Sequence, residues 1–389
     1  MPNKDAWPFQ REFDIKRKNG IFFMRRPRLK APEGSSQAYY HCVSRVVGRE
    51  FLLGEAEKEQ FVQFMRLYEK LYGLRVLSYV VMSNHFHILV EVPHRPADEE
   101  LPNDAALVAH VRSCLGDEAA ISLSWELEHF RGQGNDEAAE LLREKWFSRM
   151  WNVSRYMKVL KQRFTQWFNG RHNRRGTLWE DRFRSVLVQG AGNALKTMAA
   201  YIDLNPVRAN LCEDPMDYRW CSYAEAVAGG KLAKQALQWL HSFEVDSLGA
   251  VEKPTNEPVM KPKEVLERWR CYLFGVPFRD TEQKEELVKE AKNQSASIHR
   301  RKISRRKAVE VLKEGGRLKK SDYLRCRVRY FSDGAALGSR EYVEQVFESA
   351  RKHFSSNRRK GACTLKGLEL PPKPERIYTL RQLQKEVIT

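Results

Sequence analysis

Residues 74–92 have the sequence LRVLSYVVMSNHFHILVEV. Its two halves, 74–82 and 85–92, are runs of apolar and β-branched residues, which favour β-strands. Only Ser83 and Asn84 separate them, a spacing short enough for a hairpin. The stretch therefore predicts two adjacent antiparallel strands.

Further strands and helices are predicted on both sides of this hairpin. Aromatic and β-branched runs indicate strands, and apolar residues at helical spacing indicate helices. These further elements are a strand from residue 37, a helix over 55–73, a helix over about 152–169, a strand over 182–188 and a helix over 191–207. The last helix is expected to stop at Pro206, because proline disfavours helical geometry in the residue before it. The order β-α-β-β-α-β-α predicts an α+β fold of the ferredoxin-like, or split βαβ, kind: an antiparallel sheet with helices on one face.

The composition of the flanking regions divides the chain into four parts. Residues 1–36 are basic and proline-containing without a clear period, and they indicate an N-terminal arm. Residues 37–230 hold the predicted sheet, interrupted at about 94–145 by an acidic insertion with short helices. Residues 231–264 have the composition of a linker. Residues 265–389 show short helical patterns rich in Lys and Arg, which predict a basic helical region for DNA binding or docking.

The charge of the chain indicates a polyanionic partner. It carries 68 Lys and Arg against 50 Asp and Glu, a net charge of +18, and nucleic acid is the first candidate for such an excess. Residues 251–389 hold 33 Lys and Arg and 19 Asp and Glu, which gives +14 of this total. We expect the C-terminal region to add DNA affinity rather than chemistry.

The cysteines and the hydropathy pattern bear on the compartment. The seven cysteines include no CxxC pair, so neither a zinc ribbon nor a disulfide framework is indicated. No run of about 18 apolar residues occurs, and the first residues lack the apolar stretch of a signal peptide. We therefore expect a cytoplasmic, nucleoid-associated protein.

The triplet His85-Phe86-His87 is a candidate metal site. Residues two apart on a strand project from the same face, with their Cα atoms roughly 6–7 Å apart. Two imidazoles can then converge on one cation, while Phe86 faces the core. Alone, the triplet also fits an ordinary polar strand face.

Tyr201 and Asn205 are candidates for the same site. Four residues apart, they share one face of the last predicted helix. The alternative is a structural role for both. A tyrosine on an apolar helix is commonly a core residue, and an asparagine before proline commonly marks a helix end.

Five motifs in a fixed order resemble the REP-associated tyrosine transposases, relatives of the small single-tyrosine HUH insertion-sequence transposases. They are YYHCVSRVVGREFLL, SYVVMSNHFHILVE, GTLWEDRFRSVLV, YIDLNPVRANL and YRWCSYAEAVAG. The resemblance covers roughly residues 37–230, apart from the acidic insertion.

This resemblance implies a chemistry. His85 and His87 would bind Mg²⁺ or Mn²⁺, and Tyr201 would be the nucleophile that forms a 5′-phosphotyrosine and leaves a free 3′-OH. Asn205 stands where the insertion-sequence relatives have Gln, and it would be the third metal ligand. The implied substrate is single-stranded DNA with a hairpin or repeat. The chain is a possible homodimer, with the tyrosine helix acting in its own subunit or in a partner.

Basic residues near these motifs are candidates for contacts with DNA phosphates. They lie in and around the turn GRHNRRG and in the cluster HRRKISRRK (299–307): Lys158, Lys161, Arg171, Arg174, Arg175, Arg182, Arg184, Arg300, Arg301, Arg305 and Arg306. A solvated basic face is the alternative for the first group.

Three other functions fit parts of the pattern. A ferredoxin-like sheet with basic patches also describes RNA-binding modules, which stack bases on strand aromatics. A catalytically silent, domesticated transposase would act as a DNA-binding regulator, although His85, His87 and Tyr201 are all present. A replication initiator or relaxase would share the HUH chemistry, but the motif order favours the transposases.

Overall fold

The computed structural model describes most of the chain between residues 15 and 380. The described residues are 15–18, 21–24, 28–32, 35, 37–190, 193–242, 261–275, 313, 316–326, 328–370 and 376–380. The predicted cluster 299–307 lies outside them.

The strands and helices follow the predicted order up to residue 203. The strands are β1 Ile15–Lys18, β2 Ile21–Met24, β3 Gln37–Arg45, β4 Arg75–Val81, β5 His85–Pro93, β6 Arg184–Val188, β7 Ala336–Gly338, β8 Ala362–Thr364 and β9 Tyr378–Leu380. The helices are α1 Glu55–Leu71, α2 Asp104–Leu115, α3 Asp117–Gly132, α4 Asp136–Phe147, α5 Val153–Arg171, α6 Asn193–Asp203, α7 Asn205–Arg208, α8 Ser222–Val227, α9 Lys231–Ser242, α10 Pro262–Phe274, α11 Lys320–Arg325, α12 Arg329–Asp333 and α13 Arg340–Ser349.

Seven of the described strands form one sheet in the order β4-β5-β3-β6-β7-β9-β8. The predicted hairpin, β4 and β5, is present, and β3 lies between β5 and β6. Every neighbouring pair is antiparallel except β6 and β7. The α+β class with a mainly antiparallel sheet is therefore confirmed.

Helices cover both faces of this sheet, and not one face as the sequence suggests. Helices α1 and α5 pack on the face that carries Phe86 and Ile88. Helices α6, α8 and α9 pack on the face that carries Val80 and Leu89. The reason is visible in β5, whose residues between its two ends are all buried. A strand that is buried along its whole length needs cover on both sides.

The acidic insertion is a small helical layer with its own core. Helices α2, α3 and α4 bury Leu107, Leu123 and Phe147 against one another. Arg131 and Arg143 both pair with Asp104, which ties the three helices together. The prediction of helices in this region is confirmed.

The region after residue 230 differs from its prediction. Residues 231–242, expected as part of a linker, form α9, because Ala233, Ala236, Leu237 and Leu240 make a buried stripe. Where the C-terminal region is described, it contains strands as well as helices: β7 pairs with β6, and β9 and β8 extend the same sheet. The described part of this region thus continues the sheet.

The helix that carries Tyr201 ends close to Pro206, the predicted end. Helix α6 ends at Asp203, and Pro206 lies in the first turn of the short helix α7. Proline fits there because the first turn of a helix needs no hydrogen bond from its nitrogen. Helix α7 then extends to Arg208.

The N-terminal arm is not structureless where it is described. Strands β1 and β2 pair with each other. Arg28 stacks its guanidinium 3.5 Å from the centroid of the Phe183 ring and donates to Ser154 in α5.

Within the described residues, no helix is both long enough and apolar enough to cross a membrane.

Candidate active site

The two histidines of the HFH triplet lie at the start of β5. His85 is its first residue and His87 its third, so both project from the same face of the sheet. Their ring centroids are 5.1 Å apart. Phe86 is fully buried in the core of the opposite face. The two imidazoles therefore lie side by side.

Each of these imidazoles has a partner at its Nδ1 atom. Nδ1 of His85 lies 2.6 Å from Oδ1 of Asn84, and Nδ1 of His87 lies 2.8 Å from Nε2 of His41. A partner at one ring nitrogen is how proteins orient a metal-binding histidine. Among the described residues, no group of three or more His, Cys, Asp and Glu side chains could hold a metal ion. Two neighbouring imidazoles are the side-chain type that cations bind, so His85 and His87 are candidate ligands.

His41 is a third histidine of this face, and it was not a predicted site residue. It is fully buried in β3, and its ring lies nearly parallel to that of His87, with the centroids 5.0 Å apart. Its Nδ1 lies 2.6 Å from the carbonyl oxygen of Phe331. Alternation places Tyr39, His41 and Val43 on one face of their strand, but the pairing of β3 with β5 is what brings His41 to the HFH triplet.

Helix α6 places Tyr201 against the histidines. The centroid of its ring lies 6.3 Å from that of His87 and 6.4 Å from that of His41, edge-on to both. Tyr201 is 3% exposed, within the core that α6 shares with the sheet. One site therefore contains Tyr201 and the histidines of β3 and β5.

Two side chains from later in the sequence pack on Tyr201. The ring of Phe331 in α12 lies edge-on to it, with the centroids 4.8 Å apart. The guanidinium carbon of Arg208 lies 4.0 Å from the centroid of the Tyr201 ring. Arg208 donates to the carbonyl oxygens of Tyr201 and Leu324. It follows Tyr201 by two helical turns in the NPVR motif, the only signal in the sequence that points to it.

Asn205 is buried one turn after Tyr201, as predicted, but its amide is used locally. Its Nδ2 donates to the carbonyl oxygens of Tyr201 and Ile202, both at 3.3 Å. The amide thereby satisfies carbonyl groups at the end of α6. A role as metal ligand would use its Oδ1 atom, and it stays a prediction.

Burial keeps the inner histidines neutral. It lowers the pKa of His41 to about 4 and lowers that of His87 well below its ordinary value, with His41 and His85 adding to the effect. Neutral imidazole is the form that binds a cation. His41 and His87 are therefore neutral at neutral pH.

Four of the predicted DNA-binding residues lie at the end of the sheet where β5 begins. Arg184 is the first residue of β6, and Arg182 precedes it. Arg174 and Arg175 lie in the turn after α5, shortly before Trp179, which bridges to the residue after β3. Because β3 runs antiparallel to both β5 and β6, all four positions are at the same end as the HFH triplet.

The other predicted basic residues have different settings. Arg171 lies 3.4 Å from a carboxylate oxygen of Glu57, and Lys158 is exposed on α5. The Nζ atom of Lys161 donates to the carbonyl oxygen of Asp181, and burial lowers the pKa of this lysine to about 7. Lys161 is thus the weakest candidate for a phosphate contact. Four positions of the 299–307 cluster lie outside the described residues: Arg300, Arg301, Arg305 and Arg306.

Tyr156, the other helical tyrosine considered as a nucleophile, lies on the other side of the sheet. Tyr156 of α5 is fully buried with Met157 and Phe164 in the core under α1 and α5. Its hydroxyl donates to the carbonyl oxygen of Met65, and burial raises its pKa well above the ordinary value. The sheet separates Tyr156 from the histidines.

The part of the chain around this site matches a known protein family. Residues 34–99 match the family described as IS200-like transposase. This segment is similar to the IS200-like transposases. The matched segment contains His41, His85 and His87, whereas Tyr201 lies beyond it. The resemblance seen in the motifs is confirmed over these residues, and it supports a transposase-like role in DNA processing.

No curated protein sequence matches the chain significantly. Among solved structures, a REP-associated tyrosine transposase bound to a REP hairpin is 13% identical, covers 61% of this chain and 95% of its own, and superposes with a TM-score of 0.32.

Proposed function

We propose that this chain is a metal-dependent endonuclease and strand transferase that cuts and rejoins single-stranded DNA. Tyr201 is the nucleophile, and His85 and His87 hold Mg²⁺ or Mn²⁺. The observation that carries the proposal is the position of the Tyr201 ring, edge-on and 6.3 Å from that of His87. A tyrosine next to paired imidazoles combines a nucleophile with candidate metal ligands, and the proposed phosphodiester transfer requires both.

The reaction is a transesterification at phosphorus. The Tyr201 hydroxyl loses its proton and its oxygen attacks the scissile phosphate, forming an O–P bond as the bond to the 3′-oxygen breaks. That oxygen leaves as a 3′-OH after taking up a proton, and the 5′-phosphate stays on Tyr201. Because the phosphotyrosine conserves the ester, a 3′-OH can later reverse the step. A bound divalent cation would polarise the phosphate and balance its developing charge.

Arg208 adds positive charge beside the nucleophile. Its guanidinium stacks on the Tyr201 ring and is held by two carbonyl oxygens. Held in this way, it is a fixed cation where an anionic phosphate has to enter. We propose that Arg208 attracts the phosphate, while Tyr201 performs the attack.

The basic end of the sheet is the proposed path of the DNA. Arg174, Arg175, Arg182 and Arg184 lie at the end where the HFH triplet begins β5, and Arg184 forms an ion pair with Asp333 while most of its side chain stays exposed. Arginines there would bind phosphates without reading bases. We propose hairpin or repeat DNA as the substrate, as the motif resemblance implies.

The fold gives little support to an RNA-binding module. Such modules stack bases on aromatic residues of an open sheet face. Here Tyr39 and Tyr40 of β3 and Tyr79 of β4 are buried, and helices cover both faces of the sheet. Base stacking on these strands would need helices to move away.

Substitution of the paired histidines tests the metal site. In a gel assay with a labelled hairpin oligonucleotide and Mn²⁺, His85→Ala and His87→Ala should each lower the rate of covalent adduct formation by about 100-fold or more at limiting metal, because a ligand is lost. His94→Ala is the matched control, since His94 is exposed just beyond the far end of β5, and it should react normally. Adduct formation at the wild-type rate in either site variant would refute the assignment.

A further inference from the structure

His41 connects the proposed metal ligand His87 to the C-terminal region. Its Nε2 lies 2.8 Å from Nδ1 of His87, and its Nδ1 lies 2.6 Å from the carbonyl oxygen of Phe331. All three groups belong to different elements: β3, β5 and α12. The contacts form a continuous row of hydrogen bonds from the backbone of α12 to the HFH triplet.

The direction of these hydrogen bonds follows from the carbonyl group. A carbonyl oxygen only accepts, so Nδ1 of His41 must carry the hydrogen that faces Phe331. A fully buried imidazole that carries one hydrogen has a lone pair on its other nitrogen, so Nε2 of His41 accepts. The hydrogen between the two rings is therefore on Nδ1 of His87. One tautomer is then left for His87, with its lone pair on Nε2.

The opposite arrangement would be incompatible with a metal ligand. If Nε2 of His41 donated, Nδ1 of His87 would have to accept, and the hydrogen of a neutral His87 would then lie on Nε2. That nitrogen could not bind a cation, and Nδ1 would already be used. The orientation imposed by Phe331 is thus the one that a metal site requires.

We propose that His41 is a positioning residue, which together with the backbone carbonyl of Phe331 fixes His87 in the tautomer that presents the Nε2 lone pair. The inference rests on the proposed function for the identity of the ligand, but it assigns a task to groups outside the triplet. It also gives the C-terminal region a part in the site, because α12 supplies both the carbonyl and the ring that packs on Tyr201.

The tautomer is measured directly by ¹⁵N NMR of the full-length, metal-free protein labelled at histidine. The expected result at neutral pH is a protonated Nδ1 and an unprotonated Nε2 for His87, and the same pattern for His41. An unprotonated Nδ1 in either ring would overturn the proposal. The measurement needs neither metal nor DNA, so it succeeds or fails independently of catalysis.

Two substitutions of His41 test the consequence for metal binding. His41→Phe keeps a ring but removes the acceptor, and it should weaken Mn²⁺ binding, measured by titration calorimetry, by about 10- to 100-fold. His41→Gln offers a side-chain carbonyl to Nδ1 of His87 and should recover most of this affinity. Equal Mn²⁺ affinity in the wild type and His41→Phe would overturn the proposal. If neither variant folds, the tautomers measured by NMR in the wild-type protein decide whether the proposal holds.

Failure of the two hypotheses can be told apart. Should the protein show the expected tautomers and Mn²⁺ affinities but never form a covalent DNA adduct, the proposed function is wrong and the positioning role stands. Should the adduct form at Tyr201 while His41→Phe binds Mn²⁺ normally, the function stands and the role of His41 is wrong.

Discussion

At the scale of the residue, the buried imidazoles make the stability of the folded chain depend on pH. Burial lowers the pKa of His41 to about 4, from an ordinary value near 6.5. Between these two pH values the unfolded chain binds a proton at this position that the folded chain does not. Stability contributed by the neutral ring is thus present above about pH 6.5 and is lost as the pH falls toward 4. Asp203 acts in the opposite sense, because burial raises its pKa to about 6.

A comparison of variants isolates the contribution of His41. In chelator-treated protein, we expect the free energy of unfolding of His41→Gln to fall less steeply than that of the wild type between pH 6.5 and 4. The difference in slope should approach about 1.4 kcal/mol per pH unit, the value for one proton. Denaturant titrations at several pH values measure it. Parallel curves for the two proteins would show that His41 is not neutral in the folded state.

Site residues that share a local sequence pattern could be predicted. A site residue whose position depends on the pairing register of two strands could not. The spacing in HFH places His85 and His87 on one face of any strand, and the helical spacing does the same for Tyr201 and Asn205. His41 joins the site only because β3 pairs with β5 in one register. A shift by one residue would turn it to the other face, and no local pattern decides that register.

At the scale of the element, α6 is anchored by a buried carboxylate at its end. Asp203 is fully buried and accepts hydrogen bonds from Ser222 at 2.6 Å and from the indole nitrogen of Trp269 at 3.0 Å. The partners belong to α8 and α10, so Asp203 ties the helix of Tyr201 to two others. Loss of a donor would leave part of a buried charge without a partner.

Trp269→Phe tests this anchor. The substitution removes the donor and part of the buried ring, and it should lower the free energy of unfolding by about 2–4 kcal/mol. Chemical denaturation measures the change. Trp125→Phe is the matched control, since Trp125 is 65% exposed on α3, and it should change stability by less than about 0.5 kcal/mol. Equal effects of the two substitutions would mean that the contact with Asp203 contributes nothing.

Long elements could be predicted from the sequence, and short ones could not. Helix α5 and strands β4 and β5 have enough periodic residues to be recognised. Strands β7, β8 and β9 have three residues each, which is too few for an alternating pattern. They are strands because β6 offers an edge to β7 and β7 then pairs with β9, a tertiary effect that no local window contains.

At the scale of the whole molecule, the described part of the C-terminal region belongs to the core and the site. Leu337 of β7 and Phe331 of α12 are fully buried, in the same core as Tyr201. From the charge of residues 251–389, we expected a separate region whose removal would leave DNA cutting intact. The contacts indicate otherwise, because removal of residues 265–389 would expose one face of Tyr201 and the edge of β6.

We therefore expect the C-terminal region to be needed for folding. Chain 1–264 should be largely unfolded by circular dichroism and inactive. Leu337→Asp in the full chain should lower the free energy of unfolding by at least about 3 kcal/mol, because it buries an unpaired charge. Leu370→Asp, at a partly exposed leucine of the same region, should have little effect. A folded 1–264 fragment that still forms the DNA adduct would contradict this view and restore the prediction made from charge alone.

The identity of the nucleophile is the sharpest test of the proposed reaction. The full-length protein, a labelled hairpin oligonucleotide and Mn²⁺ are allowed to react, and the trapped adduct is digested and mapped by mass spectrometry. We predict a phosphotyrosyl linkage at Tyr201, and no adduct with Tyr201→Phe, which keeps the ring packed against Phe331 but lacks the attacking oxygen. Tyr156→Phe, on the opposite face of the sheet, should form the adduct normally if it folds. An adduct mapped to Tyr156, or one formed by Tyr201→Phe at the wild-type rate, would contradict the mechanism.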